Sequence, residues 1–173
     1  MTHLHVDHTG GMRLLPSAEF VCTTDEWAAA TGRGASLNGY VSSHPPDKSR
    51  MRLLDFAEQG TASGPFAQTI DLFDDGTISL IFTPGHTPGH MSVLLRLDDG
   101  RDLLIVGDAA YTLRSIHEQI LSALTHSDDL YRQTLRELKA FADANPEATL
   151  VPSHDPDAWR QVRSPESTRT HGT

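Results

Sequence analysis

The sequence predicts a layered α/β fold in which metal-binding side chains converge at the ends of strands. Three observations carry that expectation. Short apolar or β-branched runs are closed by Asp-Asp-Gly turns, once at Asp74–Gly76 and again at Asp98–Gly100. Amphipathic helical stretches lie before and after those runs. Histidines and aspartates of the kind that bind transition metals fall just after predicted strands, where layered α/β folds gather their ligands.

The opening stretch, His3 to Gly11 (HLHVDHTGG), organises the rest. His3 and His5 are two apart, so on an extended strand they point to the same side and can grip one ion. Asp7 and His8 follow where Thr9, Gly10 and Gly11 turn the chain, so they face elsewhere and can serve a neighbouring ion. A strand leading into His3 would be expected to begin several residues earlier, and the chain reads as N-terminally shortened.

Glu19 to Thr24 reads as a short strand after a loop containing Pro16, with Cys22 a small buried apolar residue. TTDEWAAATG follows as a helix, with Thr23 or Thr24 as N-cap, acids in its first turn and Gly32 as its stop. Gly32 to Gly64 is rich in Gly, Ser and Pro. It reads as a long surface excursion with one short turn of helix or strand near Met51–Phe56.

Strands are expected at Ala67–Phe73, Thr77–Thr83, Met91–Leu97 and Asp102–Val106. The continuous apolar run Leu103–Val106 suits a strand covered on both faces. Ser127 caps a helix reaching about Ala144, with Leu130, Leu135, Leu138 and Phe141 as its apolar stripe, ended by Asn145-Pro146. Thr149–Pro152 is a last strand delivering His154. The expected domain covers residues 1–163, and 164–173 reads as a polar, disordered tail.

The remaining metal-type residues sit at strand ends: His86 and His90 in TPGHTPGH, Asp108 in GDAAY, and His154 in PSHD. Two divalent ions about 3.5–4 Å apart need imidazoles, carboxylates and one bridging carboxylate. The inventory supplies three histidines for one ion, an Asp and two histidines for the other, and one Asp between. His44, His117, His126 and His171 read as surface or rim residues, and Trp27 and Trp159 as packing residues.

Composition sets the frame. The chain has 173 residues, 38% of them hydrophobic and 21% charged, which describes one globular domain with a real core. No apolar run approaches the roughly 20 residues of a membrane span. A formal charge of −9 argues against a nucleic-acid backbone as ligand. The single cysteine excludes an intramolecular disulfide. A cytoplasmic chain is expected, with a small-molecule substrate and with homodimerisation as one option.

HLHVDHTGG, TPGHTPGH and GDAAYT in combination resemble the metallo-β-lactamase superfamily, and within it the N-acyl-homoserine lactonases. The resemblance spans roughly Thr2 to Pro156. It implies an αβ/βα sandwich of four layers, lacking part of the N-terminal β layer that members carry before the HxHxDH motif. It also implies a ligand set: His3, His5 and His90 on the first metal, Asp7, His8 and His154 on the second, and Asp108 bridging. His86 is then expected to be structural, supporting the ligands rather than joining them. Tyr111, three residues after Asp108, matches a phenol that hydrogen-bonds the substrate carbonyl.

The activity so implied is metal-dependent opening of a lactone or ester, most like N-acyl-homoserine lactone hydrolysis in quorum quenching. Two cations sharing a water lower its pKa from 15.7 towards roughly 7, giving hydroxide for attack on the carbonyl. Asp7 is a candidate proton carrier for the leaving alkoxide. Zinc suits the His-rich set, and cobalt, iron or manganese would also fit. The alternatives are another ester or organophosphate hydrolase of the same fold, and a shortened remnant that binds metal without catalysis.

Overall fold

The computed structural model describes residues 1–41, 43 and 48–163. His44, His171 and the expected tail lie outside them. Among the described residues, strands and helices follow one another in an order that places a small sheet and a large sheet face to face.

The first segment, Met1 to His5, is hydrogen-bonded to both sheets. Its Met1 N–H donates to the Val21 carbonyl on one side, and the Met91 N–H donates to the Thr2 carbonyl on the other. One helical turn, α1 (Val6–Thr9), then begins directly after His5. The turn carries Asp7 and His8 towards Asp108, with the His8 ring still 4.0 Å from that of His3, so, contrary to expectation, the two do not face away from His3.

Strand β1 (Phe20–Thr23) and helix α2 (Thr24–Thr31) lie where expected. The Thr23 hydroxyl accepts from the Glu26 N–H as N-cap and donates to the Gly89 carbonyl at 2.8 Å. It therefore pins the helix start to the TPGHTPGH loop. Gly89 is required there, since a Cβ would lie 2.1 Å from the Thr23 hydroxyl oxygen.

The stretch from Gly32 to Gly64 is more ordered than a surface excursion. Strand β2 (Met51–Leu54) pairs in parallel with β1, helix α3 (Phe56–Gln59) follows, and β3 (Thr61–Ser63) opens the large sheet. Tyr40, Leu54 and Phe56 are buried. Strand β2 and the start of α3 fall on the expected Met51–Phe56 turn, whereas Tyr40 is a single apolar residue in a polar run and leaves no periodic signal.

The large sheet runs β3-β4-β5-β6-β7-β8, with β4 (Phe66–Asp71), β5 (Ile78–Phe82), β6 (Met91–Arg96), β7 (Asp102–Gly107) and β8 (Thr149–Pro152). All its pairs are antiparallel except β7 with β8. That parallel pair is joined by α4 (Leu113–Glu118) and α5 (Asp128–Ala144), the crossover such a pair needs. Helix α6 (Pro156–Arg163) closes the described chain.

Alternation along the central strands sorts their side chains into two cores. Leu80 and Met91 meet Leu54, Phe56 and Val21 between the two sheets. Ile81, Leu104 and Val106 meet Tyr131, Leu135, Leu138 and Phe141 of α5 on the other face. A third cluster joins Leu4, Phe20, Cys22, Ala30 and Tyr40, with Trp27 against it, on the outer side of the small sheet. The layers are thus helix, sheet, sheet, helix.

One detail of α5 differs from expectation. Leu130 is 39% exposed, and Tyr131 is fully buried in its place, beside Leu135 and Leu138. The stripe Tyr131, Thr134, Leu135, Leu138, Phe141 follows i, i+3, i+4, i+7 spacing, and Leu130 falls one position off it. Trp159, expected to pack, is also 39% exposed.

Candidate metal centre

Four chain segments bring their imidazoles and carboxylates to one end of the sandwich. The first donor group is His3, His5 and His86; the second is Asp7, His8, Asp108 and His154. Within each group the ligand-type atoms lie within 4.8 Å of one another. Asp108, fixed at the end of β7, touches both. Its Oδ2 is 3.5 Å from His86 Nε2 and 3.2 Å from His154 Nε2, and its Oδ1 is 3.2 Å from His8 Nε2. His8 Nε2 is also 3.5 Å from Asp7 Oδ2, which lies 4.0 Å from His154 Nε2.

The structure corrects one member of the expected set: His86, not His90, stands with His3 and His5. His86 Nδ1 faces the Leu124 carbonyl at 3.1 Å, so that nitrogen carries the proton and donates. Its Nε2 is left as a lone pair directed at His5 Nδ1, 3.1 Å away. An imidazole anchored through one nitrogen to a backbone carbonyl is prepared to ligate through the other.

His90 has no free nitrogen to offer. Its Nε2 accepts the Asp108 backbone N–H at 3.0 Å and its Nδ1 lies 2.9 Å from the Thr83 hydroxyl. The spacing GHTPGH puts two histidines in one Gly/Pro loop, and spacing alone does not tell which turns inward.

The donor set fits divalent cations on a direct observation. His3 is fully buried, yet its Nε2 has no hydrogen-bond partner among the described residues. A buried polar atom without a partner is costly, and a cation between His3, His5 and His86 would satisfy it. Protonation states agree. Burial, then the neighbouring imidazoles, hold His3 well below the usual histidine value. Burial and His86 bring His5 down to about 4, so both rings are neutral at pH 7 and can ligate. Burial opposes ionisation of Asp108, but His8 and His86 outweigh it and hold its carboxyl far below the usual range. Burial likewise opposes charge on His8, and the Asp108 carboxylate outweighs that and raises it.

A cavity of about 720 Å³ opens over this cluster. Its polar floor is His5, Asp7, His86, Asp108 and His154. Ala28, Ala29 and Leu37 form one wall, and Leu124 stands in another. Tyr111 is half-buried in the lining, with its ring 4.8 Å from that of His154 and 5.8 Å from that of His86. His126, expected on the surface, is exposed at the cavity rim.

Two supporting residues escaped the sequence reading. Glu26 is fully buried and accepts the Leu4 N–H at 2.8 Å and the Thr87 hydroxyl at 2.5 Å. Leu4 lies between His3 and His5, and Thr87 follows His86, so one carboxyl ties together the two segments that carry the first donor group. A Glu in the first turn of a helix looks like dipole complementation, and nothing in TTDEWAAATG marks it as inward-facing. Asp155 caps α6 through the Asp157 and Ala158 N–H groups and accepts from Leu113, linking the His154 turn to the segment after Tyr111.

No helix of the described residues is long and apolar enough to cross a membrane.

Known proteins place these observations in a family. The N-acyl homoserine lactonase AttM of Rhizobium radiobacter is 34% identical over 167 residues, covering 94% of this chain and 59% of that protein. An N-acyl homoserine lactonase of Bacillus thuringiensis is 23% identical over 119 residues, covering 69% of this chain and 40% of the relative. The chain therefore spans about three fifths of the length of the AttM relatives. Among solved structures, an N-acyl homoserine lactone hydrolase with N-hexanoyl-L-homoserine at its catalytic metal centre superposes with a TM-score of 0.72. It is 20% identical, over 92% of this chain and 56% of that one. The dizinc quorum-quenching lactonase AidC gives a TM-score of 0.59 at 18% identity, over 90% of this chain and 56% of that one. The family model described as the Metallo-beta-lactamase superfamily matches residues 1–154, and the chain belongs to that superfamily.

Proposed function

We propose that this chain carries the metal centre of a lactone hydrolase acting on N-acyl homoserine lactones. The observation that supports it most is the placement of Asp108 between two donor groups, one of which has the unpaired, buried His3 Nε2. His3, His5 and His86 would hold one divalent cation; Asp7, His8 and His154 the other; Asp108 would bridge. Zinc suits this mixture of imidazole and carboxylate. When bound, the two cations would supply Lewis-acid polarisation of the ester carbonyl and a water of lowered pKa.

The chain's own groups do the rest. The Tyr111 hydroxyl donates to the carbonyl oxygen as negative charge builds there. Water adds to the carbonyl carbon, the ring C–O bond breaks, and the leaving oxygen takes a proton to give a hydroxy acid. Asp7 shuttles that proton: its side chain is 54% exposed and lines the cavity, so it exchanges with solvent between turnovers. The wall of Ala28, Ala29 and Leu37 accepts the apolar acyl chain. The net charge of −9 supports a neutral small molecule over a nucleic acid. The setting proposed for this chemistry is the cytoplasm.

The names of the relatives support the same substrate class, each for its own protein. The test is ring opening of N-hexanoyl homoserine lactone by the zinc-loaded chain, followed as proton release, with Asp108→Asn as control. Turnover in the parent and none in the variant is expected. A chain that retains two zinc ions but opens no lactone would remove this reading. Cleavage of simple or phosphate esters instead would move it to another hydrolase of the superfamily.

A further inference from the structure

We infer that His90 is a positioning residue, the keystone of a closed hydrogen-bond circuit that sets the bridging carboxylate of Asp108. The inference rests on the dinuclear reading above for what Asp108 does, but the circuit itself is read from the chain.

The circuit starts on β7, at Val106, and ends on Asp108, the residue directly after it. The Ser92 hydroxyl donates to the Val106 carbonyl at 2.9 Å. A hydroxyl has one proton, so Ser92 must accept from Thr83, whose oxygen is 3.0 Å away. Thr83 has then given its own proton and must accept from His90 Nδ1, at 2.9 Å. At the other end, the Asp108 backbone N–H donates to His90 Nε2 at 3.0 Å. That requires His90 to be neutral with its proton on Nδ1, which is the tautomer the first end demands. The two ends agree, and every direction in the chain is fixed.

Thr83, His90 and Ser92 are each fully buried, so no water competes with these bonds. The anchor points Val106 and Asp108 flank Gly107, whose φ is +65°. A Cβ on Gly107 would lie 2.7 Å from His90 Nε2, so the ring rests directly against the backbone it orients. The Asp108 carbonyl is taken as well, accepting the Tyr131 hydroxyl at 3.3 Å. Both backbone polar groups of Asp108 are thus bound by buried side chains from other elements. Its carboxylate is left to swing only about its own side-chain torsions, between His8, His86 and His154.

The circuit explains why TPGHTPGH has a second histidine. A residue there must accept from one backbone N–H and donate to one hydroxyl within a dry pocket. A neutral imidazole does both, on nitrogens facing opposite ways.

Two measurements test the inference. In the metal-free chain, long-range ¹⁵N–¹H spectra should show His90 as the Nδ1–H tautomer, with that proton protected from exchange; an Nε2–H tautomer or an imidazolium overturns the circuit. For function, zinc and cobalt(II) dissociation constants are compared in the parent, His90→Ala and His90→Gln, each checked for native circular dichroism. Loss of an outer partner of this kind typically weakens metal affinity roughly 10–100-fold. That loss is expected for His90→Ala, with two ions still bound at saturation. His90→Gln, whose amide can accept from Asp108 and donate to Thr83, should recover a large part of it. Unchanged affinity in His90→Ala, or loss of one whole ion at saturation in folded His90→Gln, overturns the inference; the latter would make His90 a ligand. A parent chain that binds no zinc at all would strike the dinuclear reading and, with it, the bridging role of Asp108. The tautomer measurement would stand apart from that result.

Discussion

The backbone N–H of Asp108 donates to His90 Nε2 at 3.0 Å, while the Asp108 carboxylate stands 3.5 Å from His86 Nε2. One residue thus separates the two histidines of the same loop by role. His86 faces the donor group with an unprotonated nitrogen, and His90 braces the strand end behind it.

Tyr111 lines the cavity between His86 and His154 and belongs to neither donor group. Tyr111→Phe should therefore leave metal content unchanged and lower kcat for lactone opening by roughly 10²-fold, the scale of one lost oxyanion donor. Steady-state kinetics with parallel elemental analysis checks this. Loss of metal in the variant would mean that the phenol is a ligand.

Glu26 receives two buried donors, the Leu4 N–H and the Thr87 hydroxyl. Glu26→Ala orphans both, at about 1–3 kcal/mol for each, and should lower the denaturation midpoint sharply. Glu26→Gln retains an oxygen for Leu4, and the Thr87 hydroxyl can turn to accept from the amide, so its loss should be much smaller. Equal midpoints for the two variants would show that Glu26 acts as a space-filler and not as a tie.

The histidine cluster makes the metal-free chain acid-sensitive. Burial, helped by neighbouring imidazoles, lowers His3 and His86, brings His5 to about 4 and takes His90 to about 3. In the unfolded chain these rings take up protons near 6.5. Between 6.5 and the folded values the unfolded state binds more protons, so stability falls as pH falls through that window. His8, raised by Asp108 despite its burial, works in the opposite sense but is one ring against four. Thermal melts of the metal-free chain should show a lower Tm at pH 5 than at pH 7. A flat profile would contradict the depressed values.

Legibility in the sequence followed periodicity and local chemistry. Strands β4 to β8 were readable because Asp-Asp-Gly turns and apolar runs mark them, and α2 and α5 because Thr23 and Ser127 announce their caps. HLHVDHTGG, Asp108, Tyr111 and His154 were readable as chemistry at strand ends. Tertiary choices were not. Whether His86 or His90 turns inward depends on the Leu124 carbonyl, which is 38 residues away, and on the Asp108 N–H. Within Gly32–Gly64 the short element near Met51–Phe56 was readable, but its pairing with β1 and the isolated bridge between His5 and Tyr40 were not, because both depend on distant partners. Tyr131 replaced Leu130 in the core because a helix stripe shifts by one residue with no change in composition.

In the proposed centre, His3, His5 and His86 on one side, and Asp7, His8 and His154 on the other, hold two divalent ions about Asp108. Elemental analysis of the chain purified without chelator, beside its His86→Ala and His90→Gln variants, tests it most directly. About two ions per chain are expected in the parent, about one in His86→Ala, and about two in His90→Gln at saturating zinc. A parent with well under one ion, or a His86→Ala variant that retains the full complement, would contradict it.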